Sequence, residues 1–161
     1  MKTSILELVI YIFRNYPNPL QLSKPRLVKL IYLIDWKHCI DFGGQATNIK
    51  WYFNHYGPYV DDVFDIIKEA KDDFEVFSYI NPYGGGSSDR IKLISHKFVN
   101  LSTTVKATTD IIISKTNELD WSTFISIVYS TFPVKSTSKY SFLNLIEDAK
   151  KYKRLQFSHE Q

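Results

Sequence analysis

The chain has 161 residues, 44% hydrophobic and 23% charged, with a net charge of +3; this is the range of one folded domain with a single core, and it excludes long disordered segments. The mild basic bias falls short of the concentrated field of a dedicated nucleic-acid protein, and the single cysteine, Cys39, excludes an intrachain disulfide and points to the cytoplasm. Aromatic residues reach 16%, mostly Tyr and Phe, an excess that serves a core and also suits an interface.

The first segment opens with a Lys and an apolar run, but Glu7 interrupts it, Arg14 follows, and no small-residue cleavage site appears. No stretch approaches roughly 18 uncharged residues, so the reading excludes both a signal peptide and a membrane span. Instead Ile5, Leu8, Val9, Ile12, Phe13 and Tyr16 recur at helical spacing and Pro17 and Pro19 stop the helix. The second helix has Ser23 as N-cap, Pro25 in its first turn and the Gly43-Gly44 pair at its end. Its apolar residues Leu27, Val28, Leu30, Ile31, Leu33 and Ile34 cover more than one stripe, which predicts a central helix packed on two sides, with Lys29, Tyr32 and Trp36 on a narrow exposed edge.

The run from Asn48 to Phe53 is β-prone and aromatic, and His55-Tyr56-Gly57-Pro58-Tyr59 reads as a turn that launches a third helix with Pro58 at its first position and Asp61 and Asp62 at its positive end. Val60, Val63, Phe64 and Ile67 make its buried stripe, and it ends near Lys71 to Asp73. Phe74 to Ile80 and Arg90 to Ser95 are β-rich runs joined by a Gly- and Ser-rich tip, a hairpin over about residues 74–95 whose place after three helices suggests a winged-helix-like layout. Three further helices follow over about residues 103–154. They are Thr103 to Glu118, Asp120 to Thr131 with Trp121, Phe124, Ile125, Val128 and Tyr129 inward, and Ser141 to Arg154 with Phe142, Leu145, Ile146 and Ala149 inward. The sum is an α+β, predominantly helical single domain of about six helices with one β-hairpin, spanning residues 1–161.

Little in this pattern suggests catalysis. His38 and Cys39 are adjacent and point about 100° apart on a helix, so they do not share an ion. Asp35 and His38 lie one turn apart and would need the distant His55 to complete a site. Asp61, Asp62 and Asp65 are explained by the helix dipole. The glycine tip lacks the Lys and following helix of a phosphate loop. No acid, base and nucleophile converge, so the reading is a non-enzyme with no catalytic residues, metal site or cofactor. The concentrated rings around Gly57-Pro58, namely Trp51, Tyr52, Phe53, His55, Tyr56 and Tyr59, cannot all face inward, and Tyr and Trp beside a rigid turn suit a protein interface.

The run Lys29-Leu30-Ile31-Tyr32-Leu33-Ile34-Asp35-Trp36-Lys37-His38, then Gly43-Gly44, Trp51, Tyr56-Gly57-Pro58-Tyr59-Val60 and Val63-Phe64 resembles the Panacea domain, also called the SocA-like antitoxin domain. That family pairs a KLLY-type helix with a later Trp and a YGPxV segment that opens the next helix, and both blocks stand here in that order. The chain departs from the pattern toward its C-terminus, where Ser138-Lys139-Tyr140 replaces a Thr-His element. The resemblance implies an antitoxin of a bacterial, prophage or phage toxin–antitoxin pair that neutralises a cognate protein toxin by direct contact. A protease is a further possible partner, since one family member is thought to present its toxin for degradation. Lys29, Tyr32, Trp51, Tyr56, Gly57, Pro58 and Tyr59 are the expected partner-binding positions. The alternative is a winged-helix-like nucleic-acid-binding regulator using Arg90, Lys92 and the basic run Lys150, Lys151, Lys153 and Arg154. A homo-oligomer stays open.

Overall fold

The computed structural model describes residues 2–159. Helix α1 (Ile5–Asn15) buries Leu8, Val9, Ile10, Ile12 and Phe13 and ends at Tyr16, whose N–H reaches Ile12 O at 2.8 Å. A short 3-10 turn at Pro19–Gln21 leads to α2 (Lys24–Phe42). Ser23 Oγ accepts the Arg26 N–H, and Gly43 closes the helix at φ +81° with its N–H on Cys39 O; both caps lie where their residue types predict.

Helix α2 is the axis of the fold. Almost every residue from Arg26 to Cys39 is buried, as expected for a helix with apolar residues on more than one face. The expected exposed edge is absent, however: Lys29, Tyr32 and Trp36 are all buried. The reason is tertiary, because a hairpin and two C-terminal helices cover this side. Tyr32 stands edge-on to Trp51 with ring centroids 5.6 Å apart, and Trp36 packs in the same manner on Tyr152.

The YGP segment does not begin a helix. Strand β1 (Tyr52–Asn54) pairs antiparallel with β2 (Gly57–Tyr59) in the register Tyr52↔Tyr59, Phe53↔Pro58 and Asn54↔Gly57. Pro58 is tolerated because this small ladder has no further strand on that side to receive an N–H. Helix α3 starts only at Asp62 and runs to Glu69, burying Val63, Phe64 and Ile67. The turn depends on Gly57, whose φ is +101°. A Cβ there would meet Lys29 Cε and Tyr129 Cζ at 3.5 Å, an ordinary contact, so backbone strain sets the cost. Gly57→Ala is expected to lower stability by about 1–2 kcal/mol, read as the thermal unfolding midpoint.

The second hairpin, β3 (Phe74–Ile80) and β4 (Ser87–Leu93), pairs Phe74↔Leu93 through Ile80↔Ser87, and buries Phe74 and Ile91 against the helices. Its second strand begins at Ser87 rather than Arg90, because the three tip glycines at positive φ close the turn sooner. Helix α4 (Thr103–Thr116) forms despite a β-prone composition. The hydroxyls of Thr108, Thr109 and Thr116 donate to the carbonyls four residues back, so each polar side chain is satisfied within the helix.

Helix α5 (Trp121–Ser130) is capped by Asp120, which accepts the Thr123 N–H at 2.8 Å. Phe124 and Val128 are buried, whereas Trp121, expected inward, is 46% exposed. A short extra helix, α6 (Phe132–Ser136), brings the total to seven among the described residues, and α7 (Leu145–His159) starts four residues later than expected. The backbone of residues 140–143 is occupied elsewhere: Phe53 N–H donates to Ser141 O, Tyr140 N–H to Phe53 O and Leu143 N–H to Trp51 O. This pairing extends the small hairpin and turns Phe142 and Ile146 outward, against the helical expectation, while Leu145 and Ala149 remain buried.

Candidate functional site

The residues of the KLLY-type helix and of the YGP segment meet in space. Asp35 lies in a wholly buried position and its carboxylate is the hub of the junction. Oδ1 accepts the Thr47 N–H at 2.9 Å, and Oδ2 accepts Thr47 Oγ1–H at 2.6 Å, Trp51 Nε1–H at 2.9 Å and Gln45 Nε2–H at 3.2 Å. Burial pushes the carboxyl above the usual carboxylate range, opposed by its hydrogen bonds to Thr47 and Trp51. Asp35, Tyr32 and Trp51 thus form an internal clasp that fixes the start of β1 on α2. Tyr32 adds a hydroxyl bond to Thr131 Oγ1 at 2.8 Å, which ties α2 to the end of α5.

Tyr32 and Trp51 therefore lie beneath the surface rather than on it. His38 and His55, weighed with Asp35 as scattered ligands, are far apart in role. His38 Nδ1–H donates to Gly44 O and its Nε2 is hydrogen-bonded with Thr104 Oγ1 at 3.0 Å, while His55 Nδ1 bonds Tyr140 Oη at 3.2 Å. Among the described residues no three His, Cys, Asp or Glu side chains are grouped as metal ligands would be.

What the clasp carries is an outward surface. The loop between β1 and β2 lifts Tyr56 to 76% exposure, with its ring edge-on to His55. Tyr140 and Phe142 stand on the neighbouring segment at 59% and 68% exposure, and Phe142 packs edge-on to Tyr52 at 5.1 Å. Tyr59 is half-buried; its hydroxyl donates to Asp61 Oδ1 at 2.8 Å, and burial together with that carboxylate raises its pKa to about 12. Gly57 and Pro58 are buried and supply shape rather than contact.

Beside Tyr56 and Tyr59 the surface dips into a cavity of about 320 Å³ lined by Lys24, Pro25, Lys29, Tyr56, Tyr59 and Trp121. Lys29 is only 3% exposed, and burial lowers the pKa of its ammonium to about 8. Of these lining residues the sequence pattern points to Lys29, Tyr56 and Tyr59. Trp121 escapes it because its spacing with Phe124, Ile125 and Val128 mimics a core stripe; at the first position of α5 it extends past the body that covers the rest. A larger hollow of about 520 Å³ lies between Tyr16, Arg26 and Leu119. Its buried cation is already satisfied, since Arg26 donates to Thr116 O, Leu119 O and Tyr16 Oη.

Two of the basic groups of the nucleic-acid alternative are engaged within the chain. Arg90 lies over the Tyr79 ring and donates to Leu20 O, and Lys150 pairs with Glu147 on α7. No helix among the described residues is long and apolar enough to cross a membrane.

No curated protein and no solved structure is significantly similar to the chain. The family description "Antitoxin SocA-like, Panacea domain" matches residues 27–132, which run from the clasp helix through α5 and include both blocks joined by Asp35. The chain therefore belongs to the SocA-like antitoxin family of Panacea-domain proteins.

Proposed function

We propose that this chain is the antitoxin of a toxin–antitoxin pair and neutralises a cognate protein toxin by direct binding at the aromatic surface around Tyr56. Family membership supports a toxin as partner and a binding rather than catalytic role. The observation that carries the choice of surface is the exposed ring of Tyr56 beside the lysine-floored cavity, held on a hairpin whose first strand is hydrogen-bonded on both sides. Large rings on rigid backbone lose little conformational entropy on binding, which makes them effective anchors.

Co-expression with the product of the adjacent gene, as the candidate toxin, tests the reading. The wild-type chain is expected to restore growth and to co-purify with the toxin; growth arrest that persists, with no complex, refutes it. Tyr56→Ala should change folding stability by less than about 0.5 kcal/mol, because the ring is exposed. The same change should weaken the toxin complex by about 2 kcal/mol or more. Occlusion leaves the toxin level unchanged during rescue, whereas delivery to a protease depletes it, so an immunoblot of the toxin separates the two modes.

A further inference from the structure

Lys29 is a buried cation without a buried anion. Among the described residues neither Lys29 nor Lys24 makes an ion pair. The Lys29 ammonium faces the Tyr59 ring at 5.7 Å, and Lys24 faces the Phe64 ring at 4.5 Å and the Tyr59 ring at 6.0 Å. The nearby Asp61 accepts the Tyr59 hydroxyl instead of a lysine. The cavity wall is otherwise made of Pro25 and the rings of Tyr56, Tyr59 and Trp121. A buried ammonium lacking a carboxylate weakens a fold, and burial alone accounts for the lowered pKa of Lys29. Such a group is retained at a cost that a ligand of opposite charge would relieve, and the wall dictates that the ligand also carries an apolar part.

We propose that this cavity is a carboxylate-accepting docking site, in which an acidic side chain of the toxin, flanked by an apolar residue, seats among Tyr56, Tyr59 and Trp121 and places its carboxylate on Lys29 Nζ. The identity of the partner rests on the antitoxin reading; the chemistry of the cavity does not. Two lysines and no lining acid supply the charge complementarity. Removal of water as the partner closes over the cavity strengthens the ion pair, because the Lys29 side chain is already largely desolvated before binding.

Two arms test the inference. In the first, the purified chain is titrated with phenylacetate, phenylacetamide and phenethylammonium, and the Trp121 indole N–H and Lys29 side-chain resonances are followed. Phenylacetate is expected to shift both signals and to bind at least about tenfold more tightly than the amide, with the ammonium weakest. Lys29→Met keeps the apolar volume and should erase the preference for the acid while the thermal transition stays cooperative. Equal binding of acid and amide, or a preference that survives in Lys29→Met, overturns the proposal. In the second arm the toxin complex of Lys29→Met should be weaker by at least about tenfold. A toxin neutralised equally by the wild type and by Lys29→Met overturns the docking site and leaves the antitoxin reading standing. A wild-type chain that binds phenylacetate selectively but no co-encoded toxin removes the antitoxin reading and, with it, the assignment of a toxin side chain as occupant.

Discussion

Asp35→Ala is expected to cost about 3 kcal/mol or more of folding stability, enough to abolish the cooperative transition if the wild type is itself marginal. The carboxylate removed is fully buried and accepts the Thr47 N–H, the Thr47 hydroxyl, the Trp51 indole N–H and the Gln45 amide. Deleting it strands the Thr47 and Trp51 donors, whereas the Gln45 amide keeps Ile49 O, and each stranded buried donor costs about 1–3 kcal/mol. Asp35→Asn, which keeps the volume and one acceptor oxygen, should cost less, because only part of the network then lacks a partner. Urea unfolding of both variants measures the order. A loss in Asp35→Ala no larger than in Asp35→Asn would show that the hub is not what fastens β1 to α2. Rescue should fail in Asp35→Ala even though Asp35 touches no partner, because the aromatic surface is carried on the strand that Trp51 anchors.

Below about pH 8, Lys29→Met is expected to be more stable than the wild type, by up to about 3 kcal/mol, and the advantage should shrink as pH rises toward 10. Burial holds the folded Lys29 pKa at about 8, against about 10.4 in the unfolded chain. Between those values the unfolded state binds more protons than the folded state, so wild-type stability rises with pH across that window. Below the window both states carry the charge and the folded chain bears the full cost of burying it. Methionine removes the titration, so the difference between the two unfolding curves isolates Lys29 from other groups. Tyr59, with its pKa raised to about 12, stays neutral in the folded state throughout the window. A constant difference from pH 7 to pH 10 would mean that Lys29 is solvated and that its cavity is not the desolvated pocket the geometry describes.

Together the two variants separate the two tasks of the family motif. Asp35, Tyr32 and Trp51 face inward and set where the small hairpin sits on α2. Lys29, from the same helix, opens into the cavity under Tyr56 and Tyr59. Destabilisation in Asp35→Ala and stabilisation in Lys29→Met at neutral pH are thus opposite signatures of neighbouring buried ionisable groups. One has its full complement of donors, and the other has no anion. Loss of toxin binding in both variants, with stability changing in opposite directions, would tie the hairpin's position and the cavity's charge to the same contact.

The sequence by itself determined the elements whose causes are local. Ser23, Gly43 and Asp120 cap the helices their residue types announce, the apolar spacing from Ile5 to Tyr16 makes α1, and the two blocks around Lys29 and Tyr56 identify the family, because caps and helical periodicity act within a few residues. Only the tertiary structure decided which rings reach solvent. Tyr32, Trp36 and Trp51 went inside once β1 and α7 closed over α2, while Trp121 and Phe142, both expected inward, came out because one begins a helix and the other lies on backbone paired with β1. The same holds for the two charges of α2: Asp35 and Lys29 lie less than two turns apart in one helix, and what distinguishes them is the distant segment each one meets, Thr47 and Trp51 for the acid, the ring of Tyr59 for the lysine. Spacing along a helix sets direction, but burial and partnership depend on what other parts of the chain bring to that direction.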